Sequence, residues 1–273
     1  MTDYLIHIQY LGFRFHGWQR QPGVKTVESM LIKTLERILG TAKVKILGAS
    51  RTDAMVSARH SAFCLSLEAD TDIAALVADL NAHLPADIRI LGGEPAPLGF
   101  NIINSPRTKT YHYYFSFGKK AHPFCAPFLT PFPDDLDIDL MKAGAVLFEG
   151  KHDFRQYCTR PGEQTRVRRR ILLSRIDQNR DMAAGFFPGE TWVYRIRAKG
   201  FLRNQVRLMM GQLVCLGRGD IGVKGVEQSL SGVQDTPLKT IAPASGLMLH
   251  HIEFDPDISG RAPEGQNPVG EYE

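Results

Sequence analysis

Three short stretches carry the residue types that could act chemically on a polar substrate. The first is the polar turn Gly48-Ala49-Ser50-Arg51-Thr52-Asp53. A carboxylate on a loop held by flanking strands can serve as nucleophile or base, though an Asp in a turn also commonly hydrogen-bonds its own backbone. The second is Phe201-Leu202-Arg203-Asn204-Gln205-Val206-Arg207, read as the start of a helix. There Arg203 and Arg207, four apart, share one helix face. Such a guanidinium keeps its charge when partly buried and could hold a carboxylate ionised; the same spacing also fits a solvated basic face. The third is the aromatic run Tyr111-His112-Tyr113-Tyr114-Phe115. As a strand it points Tyr111, Tyr113 and Phe115 one way and His112 and Tyr114 the other, for core packing or for stacking on a base. The four cysteines, Cys64, Cys125, Cys158 and Cys215, are scattered, and His122-x-x-Cys125 has no second ligand pair nearby. Neither a disulfide framework nor a metal is expected.

Charge points to a polyanion. The net charge is only +4, but residues 151–207 hold 14 Lys or Arg against 5 Asp or Glu, with Arg166, Arg168, Arg169 and Arg170 clustered. Arg in place of Lys favours bidentate phosphate contacts, while an Arg-rich solvated strand edge is the plainer reading of the same cluster. Arg14, in the mixed aromatic and basic loop from Gly12 to Gly23, joins Arg168, Arg169 and Arg203 as a candidate substrate contact. No apolar run approaches the roughly 20 residues of a membrane span, and the first residues lack a secretory pattern, so a cytoplasmic location is expected.

The elements that must position these groups follow from periodicity. Tyr4 to Tyr10 reads as a strand. Thr26 can cap a helix with the stripe Val27, Met30, Leu31, Leu35 and Ile38, ended by Gly40. Lys43 to Leu47 and Ala62 to Leu67 are strands, Ile73 to His83 a helix broken by Leu84-Pro85, and Ile88 to Leu91 a strand. Gly92 to Pro97 reads as loop. The order strand, helix, strand, strand, helix, strand implies an α+β plan with helices on one face of a sheet. In the second half, strands are expected at Thr110–Phe117, Ile171–Ile176, Met182–Phe187, Thr191–Ala198 and Leu247–Phe254. Helices are expected at Leu136–Phe148, Phe201–Leu216 and Val223–Leu230. The stretch from Asp255, rich in Gly, Pro and Glu, reads as a flexible tail. The division is therefore residues 1–105, residues 106–255 and a tail at 256–273.

Taken in order, these motifs resemble the tRNA pseudouridine synthase A family. The likeness runs through Gly12-Phe13, Gly17-Trp18-Gln19, Gly48 to Asp53, Asn81 to Pro85, Lys109 to Tyr113, Gly150 to Phe154, Phe201 to Arg207 and Gly246 to Leu249. The resemblance implies two RRM-like (ferredoxin-like) halves with joined antiparallel sheets around a central cleft, helices outermost, and a homodimer. It implies tRNA as partner, uridine-to-pseudouridine isomerisation in the anticodon stem-loop, and no cofactor or metal. It makes Asp53 the catalytic aspartate and Arg51 the arginine that fills the place of the flipped nucleotide. Tyr111 becomes the ring stacked on the uracil and Arg207 the ion-pair partner of Asp53. The family usually has glycine where Met55 stands and histidine where Ser57 stands. Its usual arginine and aromatic are replaced near Phe100 to Ser105. These departures leave the nucleophile in place and point to a divergent member or second copy, with a synthase of the same fold acting on another uridine as the alternative reading. The other readings are an RNA-binding protein without turnover and a structural subunit binding an acidic partner.

Overall fold

A computed structural model describes residues 1–40 and 43–254; the expected tail from Asp255 lies outside the described residues. The first four strands and two helices come in the expected order. They are β1 (Thr2–Tyr10), α1 (Val27–Leu39), β2 (Lys45–Gly48), β3 (Ser57–Leu67), α2 (Ile73–His83) and β4 (Ile88–Pro95). After them come β5 (Pro106–Phe117), β6 (Thr130–Phe132), α3 (Ile138–Val146), β7 (Gly150–Asp153) and β8 (Arg168–Gln178). The chain continues through β9 (Trp192–Ala198), α4 (Gln205–Gly217), α5 (Val223–Ser229) and β10 (Leu247–Phe254). The strands form one mixed, mostly antiparallel sheet in the order β4-β1-β3-β10-β5-β9-β8-β7, with β2 on β3 and β6 on β5. The structure is thus α+β, as expected.

The joint between the early and late strands is short. β10 runs parallel to β3 through only two register pairs, Met248 with Ser57 and Leu249 with Ala58, while its other edge pairs at length with β5. The rest of that edge of β3 is taken by β2. The helices and the main core lie on one face. Tyr111, Tyr113, Leu247 and Leu249 point there, and so do Ile196 and Tyr194, whose hydroxyl meets Ser174 Oγ, itself bonded to the α3 carbonyl of Ala145. The opposite face carries His7, His60, His112, His250 and His251. The last two share a face because the β10–β5 register shifts between Leu249 and His251.

Local signals explain the elements that matter. Thr26 and Ser29 form a reciprocal capping box, and Gly40 closes α1 in the left-handed conformation. Four expectations need correction. The expected loop at Gly92–Pro97 is strand through Pro95, because a β-bulge beside His7 and Ile8 accommodates the glycines. A Cβ on Gly93 would meet Ile6 Cδ1 at 2.5 Å and Ile73 Cγ2 at 2.9 Å, so a larger residue there would have to displace these side chains. Met182–Phe187 is not a strand. The Asn179 side chain ties both the N–H and the carbonyl of Met182 into a turn, and Phe186 and Phe187 pack over Tyr114, Cys125, Leu129 and Val193. The helix expected from Phe201 begins only at Gln205, because Asn204 adopts φ 59°. Arg203 therefore precedes the helix and does not share a helix face with Arg207. The short strands β6 and β7 carry no period long enough to read.

Candidate active site

Asp53 lies in the loop after β2, above the β3–β10 joint. Three contacts lock this loop to the segment after β1. Trp18 N donates to Thr52 O (3.1 Å), Met55 N donates to Phe15 O (3.0 Å), and Gly12 N donates to Ser57 Oγ (2.9 Å). Gly17 has φ 87°, and a Cβ there would come within 2.6 Å of Thr52 O, so only glycine allows the two segments to touch. The Tyr10 hydroxyl, buried beneath, pairs with Thr52 Oγ1 at 2.8 Å. Met55 itself sits at φ 66°, a left-handed conformation that favours glycine. Ser57 is buried and accepts the Gly12 amide.

The later elements close the site from the other side. Asn204, in its left-handed turn, and the carbonyl of Ala242 hold the Arg207 guanidinium. Nε donates to Ala242 O at 2.8 Å and Nη1 to Asn204 Oδ1 at 3.3 Å. Nη1 then lies 3.8 Å from Asp53 Oδ2, with 37% of the Asp53 side chain still exposed. Burial pushes the Asp53 carboxyl above its ordinary value, and the charges of Arg207 and Arg203 pull it back. Tyr111 reaches in from β5, its hydroxyl 3.1 Å from Ser50 Oγ and its ring edge-on to Phe201 at 5.2 Å between centroids. Burial pushes its phenol up to about 12, so it enters any chemistry as a neutral ring.

These groups line one cavity of about 1140 Å³. Its charged lining comprises Arg20, Arg51, Lys109, Arg203 and Arg207 around the single carboxylate of Asp53. Among the described residues Arg51 makes no ion pair or hydrogen bond through its side chain, and it is exposed at the mouth. The cavity lies on the helix-bearing side of the sheet, with Tyr111 and Leu247, and the first turn of α4 forms part of its wall. The arrangement can bind a polyanion, enclose one flat base beside Tyr111, and present an oxygen nucleophile to it.

Of the expected contacts, Asp53, Arg51, Arg207, Tyr111 and Arg203 meet in this cavity. Arg14, Arg168 and Arg169 do not line it. Arg14 is exposed and forks onto both carboxylate oxygens of Asp87. Arg168 and Arg169 stand on β8 beside β7, opposite Asp153 and His152, and Arg168 comes within 4.0 Å of Asp153. The sequence reading missed Ser50, Lys109 and Asn204. Lys109 was legible in principle, since i and i+2 on a strand share a face with Tyr111. No group of three or more His, Cys, Asp or Glu among the described residues is arranged to hold a metal ion. No helix among them is long and apolar enough to cross a membrane. All four cysteines are free.

Known proteins resemble this chain over nearly its whole length. A family model described as tRNA pseudouridine synthase matches residues 145–255. The tRNA pseudouridine synthase A of Frankia casuarinae is 33% identical over 272 residues, covering 96% of this chain and 95% of that protein. That of Solibacter usitatus is 32% identical over 252 residues, covering 91% and 98%. That of Streptococcus mutans is 31% identical over 256 residues, covering 93% and 100%. Among solved structures, a chain of a Cbf5-Nop10-Gar1 complex is matched over 76% of this chain and 46% of that chain, with 15% identity and a TM-score of 0.29, too loose a superposition to bear on the argument. Full-length identity of this order, on a chain whose cationic cavity surrounds one aspartate, places the protein in the tRNA pseudouridine synthase A family of isomerases.

Proposed function

We propose that this tRNA pseudouridine synthase uses Asp53 as its nucleophile on a uridine flipped out of a tRNA anticodon stem-loop. The observation that carries the reading is the Asp53 carboxylate, 3.8 Å from Arg207 and partly open to a cavity otherwise lined by cations. The target base must leave its stack, which costs a few kcal/mol. Arg51, exposed at the mouth and without a protein partner among the described residues, is the group available to fill the gap and offset part of that cost. Tyr111 then covers one face of the base. Every route open to a carboxylate here needs its ionised form. It can add to the base, add to the sugar carbon or remove a ribose proton. The two guanidiniums support that form against burial. Isomerisation breaks the N-glycosidic bond, turns the uracil within the cavity and rejoins it through C5, so nothing enters or leaves but a proton.

The same proposal reads residues 1–105 and 106–255 as two RRM-like halves. The order β4-β1-β3-β2 with α1 and α2 on one face supports this for the first half. A cytoplasmic homodimer acting without metal or cofactor completes it.

The test is tritium release from C5-labelled uridine in tRNA, with mapping of the modified position. Wild-type protein is expected to release tritium, and Asp53→Asn to lose roughly 10⁴-fold or more in rate while still binding tRNA. Wild-type-like turnover in Asp53→Asn would refute the nucleophile. Binding without release by the wild type would favour an RNA-binding protein without turnover.

A further inference from the structure

Lys109 stands out among the cations of the cavity because its ammonium is spent on the protein's own backbone. It extends from β5 and donates to the backbone carbonyl of Ala49 at 2.7 Å, the one partner it shows among the described residues. Ala49 opens the loop that carries Asp53 and is itself buried. The next loop residue, Ser50, meets the Tyr111 hydroxyl at 3.1 Å. Consecutive residues of the Asp53 loop are therefore tied to alternate residues of β5. On its other side the loop is held at Thr52, by Tyr10 and by Trp18. The tie at Ala49 and Ser50 is what sets the loop against the strand bearing Tyr111.

From this geometry we infer that Lys109 is a positioning residue: its ammonium clamps the Ala49 carbonyl and so fixes the separation between the Asp53 carboxylate and the Tyr111 ring. The inference rests on the proposed roles of Asp53 and Tyr111. A hydrogen bond from a charged donor is roughly twice as strong as a neutral one, which suits a clamp across a short β3–β10 joint. Burial brings the Lys109 amine down to about 8, so the clamp is mostly charged at neutral pH and weakens above it. The other charged or titratable groups lining the cavity are His16, Arg20, Arg51, Asp53, Tyr111, Arg203 and Arg207.

The experiment compares full-length wild type, Lys109→Met and Lys109→Arg. Backbone hydrogen exchange of residues 49–53 in RNA-free protein is expected to quicken by about tenfold in Lys109→Met, the loss of roughly 1.4 kcal/mol of hydrogen bonding, and to stay near wild type in Lys109→Arg. Single-turnover pseudouridine formation at saturating enzyme should fall by about tenfold or more in Lys109→Met, with the tRNA dissociation constant changed by less than about threefold. Lys109→Arg should restore the rate, and should remove a decline that wild type shows above about pH 8. Unchanged loop exchange in Lys109→Met would overturn the clamp. A weakened dissociation constant with an unchanged bound rate would also overturn it, since Lys109 would then be a phosphate contact. If Lys109→Met does not fold, Lys109→Gln, which keeps a neutral donor, takes its place. A wild type that modifies no tRNA would defeat the proposed function, whereas the exchange measurement would still decide the clamp.

Discussion

The Arg207 guanidinium stands 3.8 Å from the Asp53 carboxylate, although one comes from the first turn of α4 and the other from the loop after β2. Their contact crosses the β3–β10 joint, and the Asp53 carboxyl feels burial more strongly than it feels either arginine.

That balance predicts the acid limb of the reaction. In the proposed role of Asp53 activity needs the ionised carboxylate, so it should be lost as pH falls through the Asp53 value, which lies above that of an ordinary aspartate. Removing an opposing charge at this range raises a carboxyl by about one unit or more. Arg207→Met should therefore move the acid limb toward neutrality by about that amount in a single-turnover pH profile. A limb that stays in place would show that the arginine does not tune the nucleophile.

The basic strand β8 should act on affinity, not on chemistry. Replacing Arg168 and Arg169 together by alanine should weaken tRNA binding and reduce the log–log salt slope by about one to two units. The bound rate should stay near wild type, because neither residue lines the cavity. A slowed single-turnover rate at saturating enzyme would place them nearer the reaction than the structure does.

Met55 holds a left-handed conformation in which an L side chain costs about 1–2 kcal/mol. Met55→Gly relieves this, and the added freedom of the unfolded chain returns about 0.5–1 kcal/mol of it. The net expectation is a gain of about 0.5–1 kcal/mol, or a melting temperature roughly 1–4 °C higher. Calorimetry on the two proteins checks it; a lower melting temperature would mean that the methionine side chain packs better than its exposure suggests.

The histidines of the open face give a second pH effect, on stability. His60 and His7 share a hydrogen bond of 3.0 Å, His60 and His251 one of 2.7 Å, and His112 stacks on His250 at 3.8 Å. Burial lowers all five, joined by neighbouring histidines at His7, His60, His112 and His250 and by Arg59 at His250 and His251, with His60 brought to about 3 and His112 to about 2. The folded protein keeps them neutral where the unfolded chain takes up protons near its ordinary value, so their contribution is complete above about pH 6.5 and is lost as pH falls below it. Between pH 7.5 and 5.5 the loss from His60 and His112 should be about 2 kcal/mol, or roughly 4–8 °C in melting temperature. His112→Asn should flatten that dependence; an unchanged slope would remove His112 from the account.

Much of this was legible in the residues themselves. α2 and β10 have the boundaries that their apolar periods and breakers imply, and α1 begins at its capping threonine. What the sequence obscured were places where tertiary contacts override local preference. Asn204 delays α4 by one turn, so the Arg203–Arg207 spacing misled about geometry even though both side chains reach the cavity. Met182 to Phe187 has the composition of a strand, yet Asn179 bends it and the aromatics bury over a separate cluster. In the site, Asp53, Tyr111 and Arg207 could be named from their motifs. The Ala49 carbonyl and Ser50 could not, because their roles depend on which strand lies opposite, and strand order is not written in any local pattern.

The place of β10 has a consequence for biogenesis. It follows all other strands in the chain, yet it lies at the middle of the sheet, between β3 and β5. On a ribosome, the nascent polypeptide could pre-assemble its early strands, but Arg207 could not be brought over Asp53 until this last ribbon emerged and zipped the sheet together. An incomplete translation product would then carry every side chain of the proposed site and still be inert toward RNA.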